Sequence, residues 1–271
     1  MKIDFVKMVG SGNDFIVIDN RDNIFNTSDK NLIRKMCNRT EGIGSDGILA
    51  IERSKNNDFT MNIINSDASI AEMCGNGARC AAYYAYIRKI ADKNMKFDTL
   101  AGLIEGHIIS DEDIKTVKVK MTEPHSYREN EIDIPGLGKK NIHQVNTGVP
   151  HAVIFADDIE NTDVQNAGCF VRYHDIYKPK GTNVNFVKIK NNNEIIVRTY
   201  ERGVEAETLS CGSGSTASAL VCALKNNLSS PISVNTRGGE LLKIYFEIKD
   251  KNILTNVFLE GAVRIVFEGK Y

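Results

Sequence analysis

Cys74-Gly75-Asn76-Gly77-Ala78-Arg79-Cys80-Ala81-Ala82-Tyr83-Tyr84-Ala85 and Cys211-Gly212-Ser213-Gly214-Ser215-Thr216-Ala217-Ser218-Ala219-Leu220-Val221-Cys222 are two versions of one pattern. Each is a Cys-Gly-x-Gly turn that opens an Ala-rich, apolar run with the character of a helix. The two cysteines lie 137 residues apart, about half of a 271-residue chain. Their surroundings repeat as well. Gly12-Asn13-Asp14-Phe15-Ile16-Val17 begins 62 residues before Cys74, and Gly148-Val149-Pro150-His151-Ala152-Val153 begins 63 residues before Cys211. Asp46 precedes Cys74 by 28 residues, and Asn183 precedes Cys211 by 28. Three landmarks in matching register indicate a duplication: two similar domains, each with its own Cys-Gly-x-Gly turn.

Between the landmarks the chain alternates short β-rich runs with turn residues. Phe15–Ile18, Met61–Ile64, Thr116–Met121, Ala152–Phe155, Val184–Ile189, Ile195–Tyr200, Leu241–Ile248 and Val263–Phe267 read as strands flanked by Gly, Asn or Asp. Helices are expected at Lys30–Asn38, Gly77–Ala91, Ser213–Lys225 and Ala167–Tyr173. The expected class is α+β, with mainly β domains that each hold one buried helix. Glu105–Lys115 reads as an exposed crossing between the halves, with Gly106 and the charged Asp111-Glu112-Asp113. It divides the chain into domains at 1–115 and 116–259, leaving a last strand at 260–271.

Composition excludes several classes. Lys+Arg 34 against Asp+Glu 35 leaves a net charge of −1, with no basic run to grip nucleic acid or anionic lipid. No apolar stretch reaches transmembrane length, and Met1-Lys2-Ile3-Asp4-Phe5 carries an acid and no secretory apolar run. The six cysteines form no CxxC pair, so a zinc or disulfide scaffold has little support and free thiols in the cytoplasm are expected.

A cysteine just before Gly-x-Gly at a helix start sits among unpaired N–H groups and the positive end of the helix dipole. Both favour the thiolate and lower its pKa below the free value of ~8.5. The remaining N–H groups can hold a substrate carboxylate. One such cysteine suits a nucleophile. Two, from duplicated domains facing a shared cleft, suit a carbon that loses a proton to one sulfur and regains one from the other, inverting its stereochemistry. That chemistry requires no external cofactor, because paired helix N-termini stabilise the charge as the carbanion develops. Cys37, Cys80, Cys169 and Cys222 read instead as small buried hydrophobes. A disulfide between Cys74 and Cys211 would be oxidative inactivation rather than function. His107, His125, His143 and His174 share no ligand spacing and receive no role.

With these motifs the chain resembles the diaminopimelate epimerase family of pyridoxal-phosphate-independent amino-acid epimerases, end to end. The resemblance rests on Lys7-Met8-Val9-Gly10-Ser11-Gly12-Asn13-Asp14-Phe15, Asn65-Ser66-Asp67, Met73 through Cys80, Gly148-Val149-Pro150-His151, Gly181 through Phe186, Tyr200-Glu201-Arg202-Gly203 and Glu207 through Gly214. It implies two pseudo-symmetric domains, each a β-barrel-like sheet around a central helix, with the last strand returning to the first domain. It implies an isomerase interconverting LL- and meso-diaminopimelate, a step toward lysine and peptidoglycan, with no cofactor, no metal and often a homodimer. By motif, Cys74 and Cys211 would be the two acid/base residues, with Cys74 taking the proton from the LL form. Gly75, Asn76, Gly212 and Ser213 would hold the reacting carboxylate, and His151 and Glu201 would support the thiols. Asn13, Asn65, Asn183 and Arg202, with Glu201, would bind the substrate. Val149 stands where many members carry Asn, Gly47 where some carry Gln, and Ala68 where Gly is common; the segment from Glu201 to Cys211 is one residue longer than the commonest form. The competing reading is another cofactor-independent racemase of the same fold, acting on an amino acid such as histidine.

Overall fold

The computed structural model describes residues 2–249 and 253–271. Its strands are β1 (Asp4–Gly10), β2 (Asn13–Asp19), β3 (Gly47–Glu52), β4 (Phe59–Asn65), β5 (Ile70–Ala71), β6 (Asn94–Thr99), β7 (Gly102–Asp111) and β8 (Lys115–Lys120). There follow β9 (His125–Ile134), β10 (Gly138–Asn146), β11 (Pro150–Phe155), β12 (Asn183–Asn191), β13 (Glu194–Glu201), β14 (Ala206–Thr208), β15 (Ile232–Thr236), β16 (Leu241–Lys249) and β17 (Ile253–Lys270). The helices are α1 (Lys30–Cys37), α2 (Gly75–Ile87), α3 (Val164–Arg172) and α4 (Gly212–Asn226). All four fall on segments expected to be helical.

The chain divides into two compact units. One comprises residues 1–120 and 261–271, and the other residues 121–260. The expected crossing at Glu105–Lys115 is not one: it lies within the β7–β8 hairpin of the first unit. Gly106, read as a linker residue, is in the strand because a Cβ there would sit 3.3 Å from Met95 and Phe97 and 3.4 Å from Ala82 of α2. The glycine lets sheet and helix approach closely. The chain crosses at Lys120–Met121, and β17 runs through both units.

In the first unit β1–β2 is antiparallel, β2–β3 parallel, β3–β4 antiparallel, β4–β6 parallel, and β6–β7 and β7–β8 antiparallel. Strand β8 pairs with β17, and β17 pairs antiparallel with β1, so eight strands close on themselves. In the second unit β10–β11, β11–β12, β12–β13, β13–β15, β15–β16 and β16–β17 repeat that antiparallel and parallel sequence step for step, with β9 added beside β10. Parallel neighbours need a crossover, and a helix supplies each one. Helix α1 links β2 to β3, α3 links β11 to β12, α2 lies between β4 and β6, and α4 between β13 and β15.

Helices α2 and α4 are the inner ones. Every residue from Asn76 to Ala85 is buried, as is nearly every residue from Gly212 to Ala223. A helix that is apolar or small on every side belongs inside a core rather than on a surface. Helices α1 and α3 bury one face only, through Ile33, Met36 and Cys37 and through Val164, Ala167, Gly168 and Val171.

The one-residue difference between the 62- and 63-residue spacings resolves into a loop. Strands β1 and β2 are joined by Ser11-Gly12, whereas β10 and β11 are joined by Thr147-Gly148-Val149. Val149 belongs to the longer of the two connections.

Candidate active site

Both signature cysteines are helix N-caps. Cys74 has φ −144° and ψ 115°, and its sulfur accepts from the Gly77 N–H at 3.5 Å. Cys211 has φ −127° and ψ 110°, and its sulfur accepts from the Gly214 N–H at 3.4 Å. An N-cap acceptor is ordinarily the hydroxyl or carboxylate of Ser, Thr, Asp or Asn. A neutral thiol accepts more weakly than these groups, whereas a thiolate accepts strongly. The first carbonyl-bound helical N–H is that of Ala78 in one unit, to Cys74 O, and of Ser215 in the other, to Cys211 O. Gly75 and Asn76, and Gly212 and Ser213, thus place their N–H groups ahead of the intrahelical ladder, where an anion is the natural acceptor. The approach to each cysteine is pinned alike. The tip of the β6–β7 hairpin donates from Ala101 N to Glu72 O at 3.3 Å, and the tip of the β15–β16 hairpin donates from Gly238 N to Leu209 O at 2.8 Å.

In the first unit a polar chain links the expected residues. Asn76 donates from Nδ2 to Asn13 Oδ1 at 2.7 Å, and Asn13 donates from Nδ2 to Asp46 Oδ2 at 3.0 Å. Asp46 accepts from Arg39, which also grips Asp14 with both terminal nitrogens. Asp14 pairs with the buried Lys7 at 2.7 Å, and Lys7 also donates to Gly44 O. Burial works to raise the Asp14 carboxyl, but the hydrogen bonds and charges of Arg39 and Lys7 outweigh it and hold the pKa near 2. Asn65 stands at the end of β4 opposite Gly47 and donates to Ser69 Oγ at 2.9 Å. Its neighbour Ser66 donates from N to Asp46 O at 3.0 Å, tying Asn65 to the same network.

In the second unit His151 is the centre. It is 1% exposed. Asn185 donates from Nδ2 to Ala152 O at 3.1 Å and to His151 Nδ1 at 3.2 Å, while its Oδ1 accepts from Thr199 Oγ1 at 3.0 Å. These contacts fix which end of the amide faces the ring, so Nδ1 is the acceptor and the hydrogen sits on Nε2. Burial, aided by the Arg202 charge, pushes the His151 pKa down to about 3, so the ring is neutral. Its Nε2–H has no protein partner among the described residues. Glu201 ends β13, and burial raises its carboxyl, opposed by the Thr208 hydroxyl. Asn183 accepts at Oδ1 from Arg202 N at 2.8 Å and donates to Pro150 O at 3.3 Å. The Arg202 guanidinium donates to Lys180 O at 3.4 Å. Ser213 Oγ lies 3.6 Å from the Cys211 sulfur, and Thr147 Oγ1 donates to Ser213 O at 3.2 Å.

The structure thus joins Asn13, Asn76 and, through Asp46, Asn65 in one unit, and His151, Asn183, Glu201, Arg202 and Ser213 in segments beside Cys211 in the other. Sequence reasoning gave no role to Asn185, Gly214 or Arg79. A Cβ at Gly214 would stand 2.3 Å from Asn185 Oδ1, so the glycine is the space into which that amide fits. Asn185 follows Asn183 by two along β12, on the same face, which is the signal that could have marked it. Among the remaining thiols, burial raises the pKa of Cys37 and pushes Cys222 up to about 12. No group of three His, Cys, Asp or Glu side chains among the described residues could hold a metal ion. No helix among them is long and apolar enough to cross a membrane.

A family model described as diaminopimelate epimerase matches residues 5–126 and 143–266. A diaminopimelate epimerase of Hydrogenobaculum sp. (strain Y04AAS1) is 47% identical, over 97% of this chain and 96% of that protein. One from Aquifex aeolicus is 44% identical, over 99% and 97%. Among solved structures, a phenazine biosynthesis protein of the PhzF family from Bacillus anthracis superposes with a TM-score of 0.77 at 12% identity, over 100% of this chain and 99% of that one. A hydroxyproline epimerase from Agrobacterium vitis does so with 0.73 at 13% identity, over 100% and 91%. At such identities these structures share the fold.

Proposed function

The chain belongs to the diaminopimelate epimerase family, and from that membership we propose that it interconverts LL- and meso-2,6-diaminopimelate by passing the α-proton between two cysteine sulfurs. The observation that carries the two-base reading is the repeated N-cap geometry, with one sulfur per unit held by the i+3 N–H of an inner helix.

The Cys74 thiolate takes the α-hydrogen of the LL isomer as a proton, and the C–H electron pair passes into the carbanion and its carboxylate. The Cys211 thiol then gives its proton to the opposite face. Cys74 ends as thiol and Cys211 as thiolate, and the reverse reaction exchanges these roles. The N–H groups of Gly75, Asn76, Gly212 and Ser213 meet the carboxylate as its charge grows. His151 offers a neutral Nε2–H, a donor that steadies an anion without itself being a strong acid. Glu201, with its raised carboxyl, supports the partner thiol. Asn13, Asn65, Asn183 and Arg202 hold the distal ammonium and carboxylate, the guanidinium gripping the carboxylate.

The reaction draws on no cofactor, nucleic acid or membrane. It belongs in the cytoplasm, supplying lysine and peptidoglycan synthesis. A homodimer is part of the reading, with Phe267, 45% exposed on β17, as a contact residue. The test is LL-diaminopimelate with purified enzyme in D2O. Deuterium at one α-carbon of the meso product is expected. No incorporation, with turnover of another amino acid such as histidine instead, would assign the site to a different racemase.

A further inference from the structure

The two inner helices differ in charge at one buried position near their N-termini. Arg79 occupies the fifth place after Cys74, and Thr216 the fifth after Cys211. Both turn back to the same carbonyl: Arg79 Nη1 donates to Gly75 O at 3.3 Å, and Thr216 Oγ1 donates to Gly212 O at 2.9 Å. The first unit therefore has a guanidinium where the second has a neutral hydroxyl. Arg79 is 0% exposed. Its Nη2 also donates to Asn76 Oδ1 at 2.9 Å and to Ser11 Oγ at 2.6 Å. An arginine does not shed its proton inside a protein, so the charge is fixed on the first turn of α2. It adds to the dipole already directed at the N-cap, and the N-cap is Cys74. The same guanidinium holds the Asn76 side chain and the Ser11 turn, where Ser11 takes a left-handed φ of 50°.

We propose that Arg79 makes the two thiols unequal, so that Cys74 carries the thiolate of the resting enzyme and Cys211 the proton. This deepens the two-base reading and rests on it for its catalytic meaning. Arg79 is a positioning residue: it acts on Cys74 through the helix turn and on the carboxylate-binding loop through Asn76. The resting enzyme is then set for the isomer whose α-hydrogen faces Cys74, and the opposite direction begins only after a proton has moved from Cys211 to Cys74.

Around α2, Lys7 of β1 and Asp14 of β2 are paired with each other, and Asp14 also with Arg39. Glu52 of β3 is held by Asn20 and Asn62, and Asp111 of β7 by Tyr83. Around α4, His151 of β11 is neutral and Arg198 of β13 is paired with Glu207. His143 of β10 lies beside Tyr127 and Glu129, and Lys243 and Tyr245 of β16 bind Glu260. Arg202, half-buried directly after β13, follows Glu201 and lies close enough to His151 to lower its pKa.

The experiment is alkylation of the substrate-free enzyme by iodoacetamide between pH 5 and 10, with peptide mass spectrometry reading Cys74 and Cys211 separately. A buried charge on the first turn, at an effective dielectric of ~20, corresponds to roughly one pH unit or more. The Cys74 profile is expected to lie that far below the Cys211 profile in the unaltered protein. Arg79→Gln should raise the Cys74 midpoint by a similar amount, slow its alkylation about tenfold near neutrality, and leave Cys211 in place. Arg79→Lys should restore most of the shift. A lower midpoint at Cys211 than at Cys74 in the unaltered protein overturns the proposal even if Arg79→Gln fails to fold. Equal movement of both thiols in a folded Arg79→Gln, or none, overturns it too. Because the assay uses no substrate, a wrong assignment of the amino acid would leave it unaffected.

Discussion

Gly214→Ala should damage the protein, while Gly77→Ala, at the matching place in the other unit, should be nearly silent. A Cβ on Gly214 would lie 2.3 Å from Asn185 Oδ1 and 3.2 Å from the Cys211 sulfur. Ordinary contact needs the amide to retreat by about 1 Å. Asn185 is fully buried and engages Thr199, Ala152 and His151 at 3.0, 3.1 and 3.2 Å. Such a retreat breaks one or two of these bonds, and each break leaves a buried group unsatisfied at about 1–3 kcal/mol. The helix-propensity gain of Gly to Ala offsets at most about 1 kcal/mol. The net loss is therefore about 2–4 kcal/mol, and His151 loses the partner that fixes its hydrogen on Nε2. At Gly77 the new methyl would meet Leu49 Cδ2 at 3.2 Å and Phe15 Cζ at 3.5 Å, the far ends of side chains that can shift. The balance there is between about −1 and +1 kcal/mol. Urea unfolding followed by circular dichroism, with initial epimerisation rates, compares the two. A double-mutant cycle with Asn185→Ala should show coupling of about 1–3 kcal/mol, since the clash partner is then gone. Equal midpoints for Gly214→Ala and Gly77→Ala, or no coupling to Asn185, would refute the packing argument.

Cys74→Ser and Cys211→Ser should each lower turnover by about 10²–10⁴ while the fold persists, since each removes one of two proton carriers; normal turnover after either change would end the two-base reading. Asp14→Asn leaves the buried Lys7 without its carboxylate, and a loss of about 3–5 kcal/mol is expected in urea unfolding. His151 binds its proton far more weakly in the fold than in the unfolded chain, with a pKa of about 3 against the usual 6.5. Its neutral form thus stabilises the fold fully above pH ~6.5, and that contribution falls by about 1.4 kcal/mol per unit as pH drops toward the folded value. His151→Gln should lower stability at pH 7 yet flatten the curve between pH 6.5 and 4.5; an unchanged slope there would contradict the buried, neutral ring.

The duplication was legible because glycine and cysteine mark backbone conditions that side-chain patterning does not blur. Helices α2 and α4 were legible because an Ala-rich run after Gly-x-Gly fits one environment, the inside of a small sheet. Strands β9 and β10 were not: from His125 to Ile134 only Ile132 and Ile134 are buried, so most of β9 carries no apolar alternation. The misplaced crossing has an equally specific cause. Gly106 and a run of acids look like a linker, yet the glycine is demanded by Ala82, Met95 and Phe97, and the acids belong to a hairpin end. At the site, the motif residues could be named, but their hydrogen-bond partners could not. Which amide end faces His151, and that Arg79 turns back onto Gly75, depend on side-chain direction, which spacing alone does not encode.

Strand β17 supplies residues 261–271 to the first unit and residues up to 260 to the second. During synthesis the second unit has all its residues once 260 has been added, whereas the first, begun at residue 1, still lacks its final staves. At about 5–20 residues per second, the ribosome takes on the order of 7–30 s to travel from 120 to the closing segment. Throughout that interval β1 and β8 present unpaired edges to solvent, so the earliest-made half of the protein is the last to be sealed and the one most in need of a chaperone's attention.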